Sequence, residues 1–180
     1  MLYYIHGYIS EPNSTKGVLF KEKLNVKPIK YRDCNPEDLV VSDCLSRIEK
    51  EIKNDKNVIL IGSSFGGFLA AKTALKNSNV KQIILLNPAI VPPHVNITKI
   101  KGIPQRILLD MSDSSLFKKK ISSKIFILAG AKDDVVPTDW VVEFAMAQEA
   151  TLKFLDDDHS FTQNMNKLPD IIVDILNKKH

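Results

Sequence analysis

The sequence predicts a doubly wound, mainly parallel α/β domain: three layers, with helices on both faces of a roughly six-stranded sheet. Three observations carry this. Six short apolar runs recur along the 180 residues, separated by helical patterns or long connections. The central runs, such as Val58-Ile59-Leu60-Ile61, are apolar at every position, as in strands covered on both faces. The length suits one domain, residues 1–180, which can bury roughly 70% of its unfolded surface.

Each element has a local reason. Leu2-Tyr3-Tyr4-Ile5 is aromatic and apolar and reads as the first strand. A helix follows from Ser14 to Leu24, capped by Asn13 or Ser14. Pro28 to Tyr31 reads as a weak strand at a sheet edge, where a proline is tolerated. Asn35-Pro36-Glu37-Asp38 has the form of a helix start, and Leu39, Val40, Leu45, Ile48 and Ile52 continue a helical stripe to Lys53. After Val58–Ile61 comes a small, apolar helix from Gly66 to Lys76, then a buried strand from Gln82 to Leu86. The remaining elements are a strand at Ile125–Ala129, a helix from Thr138 to Gln148, a strand at Thr151–Leu155 and a helix at Leu168–Leu176. Pro88 to Ser123 is long and irregular for a connection and reads as a small cap or lid segment. Its Ile90, Val91, Val95, Ile97 and Ile100 are expected to line a pocket.

Composition narrows the function. Lys+Arg exceeds Asp+Glu by 25 − 21 = 4, too mild an excess to suggest nucleic acid. Lys118-Lys119-Lys120 and Lys178-Lys179 read as solvated charge. No apolar run suits a membrane span and the first residues lack a basic leader, so a cytoplasmic protein is expected. Cys34 and Cys44 have no CxxC or histidine partner, which favours two free thiols over a zinc site.

The chemistry centres on Gly62-Ser63-Ser64-Phe65-Gly66-Gly67, a G-x-S-x-G between a buried strand and a helix. A sharp turn there exposes the hydroxyl of Ser64 in a strained backbone conformation, and the glycines let neighbouring backbones approach. His159 follows the last strand and also follows an acid that lies after Ser64, the chain order Ser–Asp–His. A general base belongs on such a loop, within reach of a serine at the same sheet edge. The acid lies in Gly130-Ala131-Lys132-Asp133-Asp134, and spacing alone leaves Asp133 and Asp134 open. Asp156, Asp157 and Asp158 stand too close to the histidine and read as solvated or turn residues. An oxyanion hole needs two convergent N–H groups; Phe65, after the nucleophile, and Tyr8, after the first strand, are the candidates. His6 reads as a structural histidine of that loop ahead of an alternative base.

These pieces resemble the α/β-hydrolase superfamily, and more narrowly small single-domain YqiA-like esterases. The matching residues are His6-Gly7-Tyr8 with Pro12, Ser14 and Lys16, then the Ser64 turn, Asn87-Pro88-Ala89, Gly130 with Asp133 and Val136-Pro137, and His159-Ser160-Phe161. The resemblance implies an α/β-hydrolase fold with a minimal cap. It implies Ser64 as nucleophile, Asp133 as acid, His159 as base, and Tyr8 and Phe65 as oxyanion donors. It further implies hydrolysis of esters or thioesters with no metal and no organic cofactor. The expected activity is that of a serine carboxylesterase acting on short acyl esters. Thioesterase or protein deacylase action is the alternative within the class, and a non-catalytic binding protein of hydrolase fold the alternative outside it. The expected partner is a small-molecule ester, with no nucleic acid and no membrane; assembly as a homo-oligomer stays open.

Overall fold

The computed structural model of the chain describes residues 1–177, so Lys178, Lys179 and His180 lie outside the described residues. The strands are β1 (Leu2–Ile5), β2 (Lys27–Pro28), β3 (Val58–Ser63), β4 (Val80–Leu86), β5 (Lys124–Gly130) and β6 (Thr151–Leu155). The helices are α1 (Thr15–Leu24), α2 (Val41–Ile52), α3 (Phe65–Lys76), α4 (Gln105–Met111), α5 (Ser115–Lys118), α6 (Thr138–Gln148) and α7 (Leu168–Asn177). The strands form one all-parallel sheet in the order β2-β1-β3-β4-β5-β6.

Strand alternation divides the interior into two cores. Tyr3, Ile5, Leu60, Ile83, Leu85 and Ile127 face α2, α3 and α6. Tyr4, Ile61, Ile84, Leu86, Phe126 and Leu128 face α1 and α7. Ser14 caps α1, its side chain accepting from Gly17 N, and Phe20 of that helix meets Tyr4 edge-on at 5.3 Å. In α2, Ile48 and Ile52 are fully buried, and burial of each such side chain contributes about 1.5–3 kcal/mol.

Register brings the carboxyl ends of the strands level: Ile5 beside Gly62, Ser63 beside Leu86, Leu86 beside Leu128, Gly130 beside Leu155. β1 lies between β2 and β3, so the chain leaves it to one side and returns on the other. A crevice opens at such a switch point in parallel sheets.

One expectation needs correction here. The helix expected from Asn35 starts only at Val41. Pro36–Asp38 form a single 3₁₀ turn, and Leu39 and Val40 are extended. Leu39 is buried, and the Arg106 guanidinium, from far along the chain, donates to Glu37 O and Leu39 O, holding the interruption open. The stretch from Pro88 to Ser123 is in large part core: Ile90, Val91, Ile107, Leu108, Met111 and Leu116 are all buried. Gln148 of α6 fixes its far end, donating to Leu116 O and Lys119 O and accepting from Ile121 N. Lys72 of α3 pairs with Asp113 in its middle. Among the described residues no helix is long and apolar enough to cross a membrane, and both cysteines are free, Cys34 exposed and Cys44 buried.

Candidate active site

Ser64 stands between β3 and α3 with φ 53° and ψ −119°. A non-glycine residue there costs about 1–3 kcal/mol of strain, which the surroundings must offset. Its N–H donates to Leu86 O at 2.9 Å, and its carbonyl accepts from Gly67 N at 2.8 Å and Ala89 N at 3.0 Å. The flanking glycines are steric necessities: a Cβ at Gly62 would stand 2.4 Å from Gly66 O, and one at Gly66 would stand 2.1 Å from Ile5 O. The motif therefore lets α3 start hard against the ends of β1 and β3.

His159 and Asp133 meet across the ends of β5 and β6. Nδ1 of the imidazole lies 2.8 Å from Asp133 Oδ2 and 3.0 Å from Oδ1. A carboxylate only accepts here, so Nδ1 carries the proton and Nε2 keeps the lone pair. Asp133 is fixed in turn by the N–H groups of Val135 and Val136, each 2.9 Å from Oδ1. Its neighbour Asp134 is exposed and makes no hydrogen bond to the imidazole. Ser64 and His159 line one cavity, and no hydrogen bond joins the hydroxyl to the imidazole among the described residues. Catalytic contacts of this kind are often long before substrate binds.

Two residues that carry the histidine loop were not legible as such in the sequence. Asp157, expected to be solvated or in a turn, is fully buried. It accepts from Asp158 N, Gln163 N, Asn164 N and Asn164 Nδ2, and these donors hold its carboxyl below the usual range against the opposing effect of burial. Asn87, buried with φ 45°, accepts from Gly130 N at 2.7 Å and donates to His159 O at 2.9 Å and Asp158 O at 3.2 Å. The signal available for Asn87 was a polar residue ending the apolar run Ile83–Leu86 at the sheet edge that holds Ser64.

On the other flank, the Gly7 carbonyl accepts from His6 Nδ1 at 2.9 Å and from the Tyr31 hydroxyl at 3.0 Å. Gly7 C=O and Tyr8 N–H belong to one trans peptide unit, so fixing the carbonyl aims the N–H the opposite way. The loop is close to the serine: a Cβ on Gly7 would lie 3.6 Å from Ser64 Cβ. Phe65 opens α3, and its N–H is one of those a helix start leaves without an intrahelical acceptor.

The His6 ring stacks on Tyr31 at 4.2 Å, and its Nε2 is buried without a hydrogen-bond partner among the described residues. Burial pushes its pKa down to about 4, against an ordinary value of about 6.5. As pH falls through that window, the unfolded chain binds a proton at this imidazole before the folded chain does. Stability is therefore expected to fall between about pH 6.5 and 4, by up to about 3 kcal/mol from this group. Urea unfolding of the wild type and His6→Asn at about pH 7 and about pH 4.5 checks this, since the variant should lose less stability on acidification. An equal loss in both would remove His6 as the cause.

The cavity has a volume of ≈ 650 Å³. Its walls come from the loop after β1, the first turn of α1, Lys101-Gly102-Ile103, Asp134-Val135 and the His159 loop. Of the residues expected to line it from the long connection, Ile90 and Val91 are buried in the core. Val95, Ile97 and Ile100 pack against that core instead of lining the cavity, and only residues 101–103 of the segment reach it.

A family model described as "Uncharacterised protein family (UPF0227)" matches residues 1–175. No curated protein sequence matches the chain significantly. Among solved structures, Est1E from Butyrivibrio proteoclasticus with ferulic acid bound aligns with a TM-score of 0.79 at 17% identity, over 97% of this chain and 87% of that one. Alpha/beta hydrolase domain-containing protein 10 from mouse aligns at 0.76 and 18% identity, over 98% and 89%. The N-formylmaleamic acid deformylase of Pseudomonas putida S16 aligns at 0.72 and 14% identity, over 98% and 91%. At these identities the likeness is one of fold, and the fold is that of the α/β-hydrolases.

Proposed function

Because the chain belongs to the UPF0227 family and has the α/β-hydrolase fold, we propose that it is a serine hydrolase of carboxylic esters. The observation that carries this reading is the His159 imidazole, oriented by Asp133 in the cavity that also holds Ser64 on its strained turn.

In this reading Ser64 Oγ attacks the acyl carbon while Nε2 of His159 takes its proton. The oxyanion is held by the N–H groups of Phe65 and Tyr8, the latter aimed by the fixed Gly7 carbonyl. The alcohol leaves with the proton from His159. Water, activated by the same nitrogen, then hydrolyses the acyl-enzyme and restores the serine. Asp133 stays ionised and stabilises the imidazolium in both halves. Est1E, a neighbour in fold, holds ferulic acid in its structure, a carboxylic acid of the type ester hydrolysis releases.

A fluorophosphonate probe tests the reading directly: it should label the native protein stoichiometrically, with mass added at Ser64. A protein that keeps the fold only for binding would not label.

The cavity is open and modest, so added methylenes soon emerge into water. Burial of each would contribute about 0.8 kcal/mol only while it stays covered. With p-nitrophenyl esters, kcat/KM is expected to peak at roughly two to six acyl carbons. An optimum at twelve or more would point to a deep channel and to deacylase action.

A further inference from the structure

Lys16 stands in the first turn of α1, half-buried, and is one of the residues lining the cavity that holds Ser64 and His159. Its ammonium forms no ion pair and no hydrogen bond among the described residues. It lies over the face of the Phe161 ring, 5.9 Å from the centroid, a weak cation–π contact. Asp157 and Asp158 act on it through space, but their oxygens are taken up by other donors: Asp158 N, Gln163 N and Asn164 for the first, Ser160 N and Thr162 for the second. Burial lowers its pKa from the usual lysine range, with the two acids opposing. A second cation, Lys101, with no ion pair or hydrogen bond among the described residues, lines the same cavity, as do the hydroxyl residues Ser10 and Thr15.

A partly desolvated ammonium that neither nearby acid contacts directly is free to bind a ligand in the cavity beside it. Two carboxylates, Asp134 and Asp158, also line the cavity; Asp158 lies near enough to act on Lys16, but its oxygens already accept from Ser160 N, Thr162 N and the Thr162 hydroxyl. We propose that the substrate is an anionic ester, bearing a carboxylate or phosphate on its acyl or alcohol part, and that Lys16 binds this group with Lys101 assisting. The inference rests on the serine-hydrolase reading and adds the substrate's charge to it. The bond broken remains the ester bond, with water supplying the hydroxyl of the released acid.

The test compares three chromogenic esters: p-nitrophenyl hexanoate, which is neutral; mono-p-nitrophenyl adipate, charged at the acyl end; and the hexanoate ester of 5-hydroxy-2-nitrobenzoate, charged on the leaving group. One charged ester should exceed the neutral one in kcat/KM by about tenfold or more at low salt, the scale of one charge-assisted hydrogen bond. Which one does so tells on which side of the scissile bond the anion sits. Lys16→Met should cut that charged-to-neutral ratio about tenfold, and Lys16→Arg should keep most of it. The ratio is taken within one preparation, so partial loss of folded protein cancels. Preference for the neutral ester, or a ratio unchanged in Lys16→Met, would overturn the inference while labelling at Ser64 left the hydrolase reading standing. Failure to label and to turn over any of the three would overturn both.

Discussion

Ser64→Ala is expected to abolish fluorophosphonate labelling and to lower kcat by about 10⁴-fold or more, because nucleophile, base and carboxylate act as a unit. The fold should survive: alanine carries the same backbone strain at φ 53°, and the bonds that hold the turn run through main-chain atoms, Ser64 N to Leu86 O and Ala89 N to Ser64 O. Residual catalysis would come from the oxyanion donors alone. Circular dichroism and a probe-labelling gel on the same sample separate loss of chemistry from loss of structure. If the variant still labels, another residue such as Ser63, which lines the same cavity, is the nucleophile and the assignment fails.

The second large effect distinguishes two adjacent acids. Asp133→Asn keeps an oxygen that can accept from Val135 N and Val136 N, so the turn should hold. The imidazole fares worse, because the new amide offers a donor where Nδ1–H needs an acceptor, which favours the tautomer with the proton facing the serine. In a comparable triad that change costs about 10⁴ in kcat. Asp134→Asn alters an exposed carboxylate on the cavity rim and should cost far less. Steady-state kinetics of the two variants decide the matter, and the reverse order would move the acid to Asp134.

The parts of this site that were legible in the sequence are those with local causes. A buried strand, a glycine-flanked serine and a small-residue helix dictate one another within about fifteen residues, and α3 and the Ser64 turn follow from them alone. The order of Ser64, an acid and His159 was likewise visible because each follows a strand, and a parallel sheet brings all such ends to one edge. What escaped depends on contacts distant in sequence. Asn35-Pro36 is a valid helix start, but it yields a single 3₁₀ turn because Arg106 arrives to occupy the carbonyls of Glu37 and Leu39. An apolar run such as Ile90-Val91 reads the same whether it faces a cavity or a core, and the packing beneath α4 made it core. Asp157 looked like one more solvated acid, since nothing local reveals that residues 163 and 164 fold back to donate to it.

Asn87 has a consequence for how the candidate site can fail. Its main chain bonds β5 through Asn87 N to Leu128 O, its side chain grips Gly130 and the backbone of His159, and the residue before it receives the N–H of Ser64. The Ser64 turn, the Asp133 turn and the His159 loop are thereby moored to the middle of the sheet, where core strands open last. Fraying of the edge strands β2 and β6 can cost stability without scattering all three, whereas parting β4 from β5 dissolves them together. The geometry of the candidate site is thus tied to the cooperative unit itself.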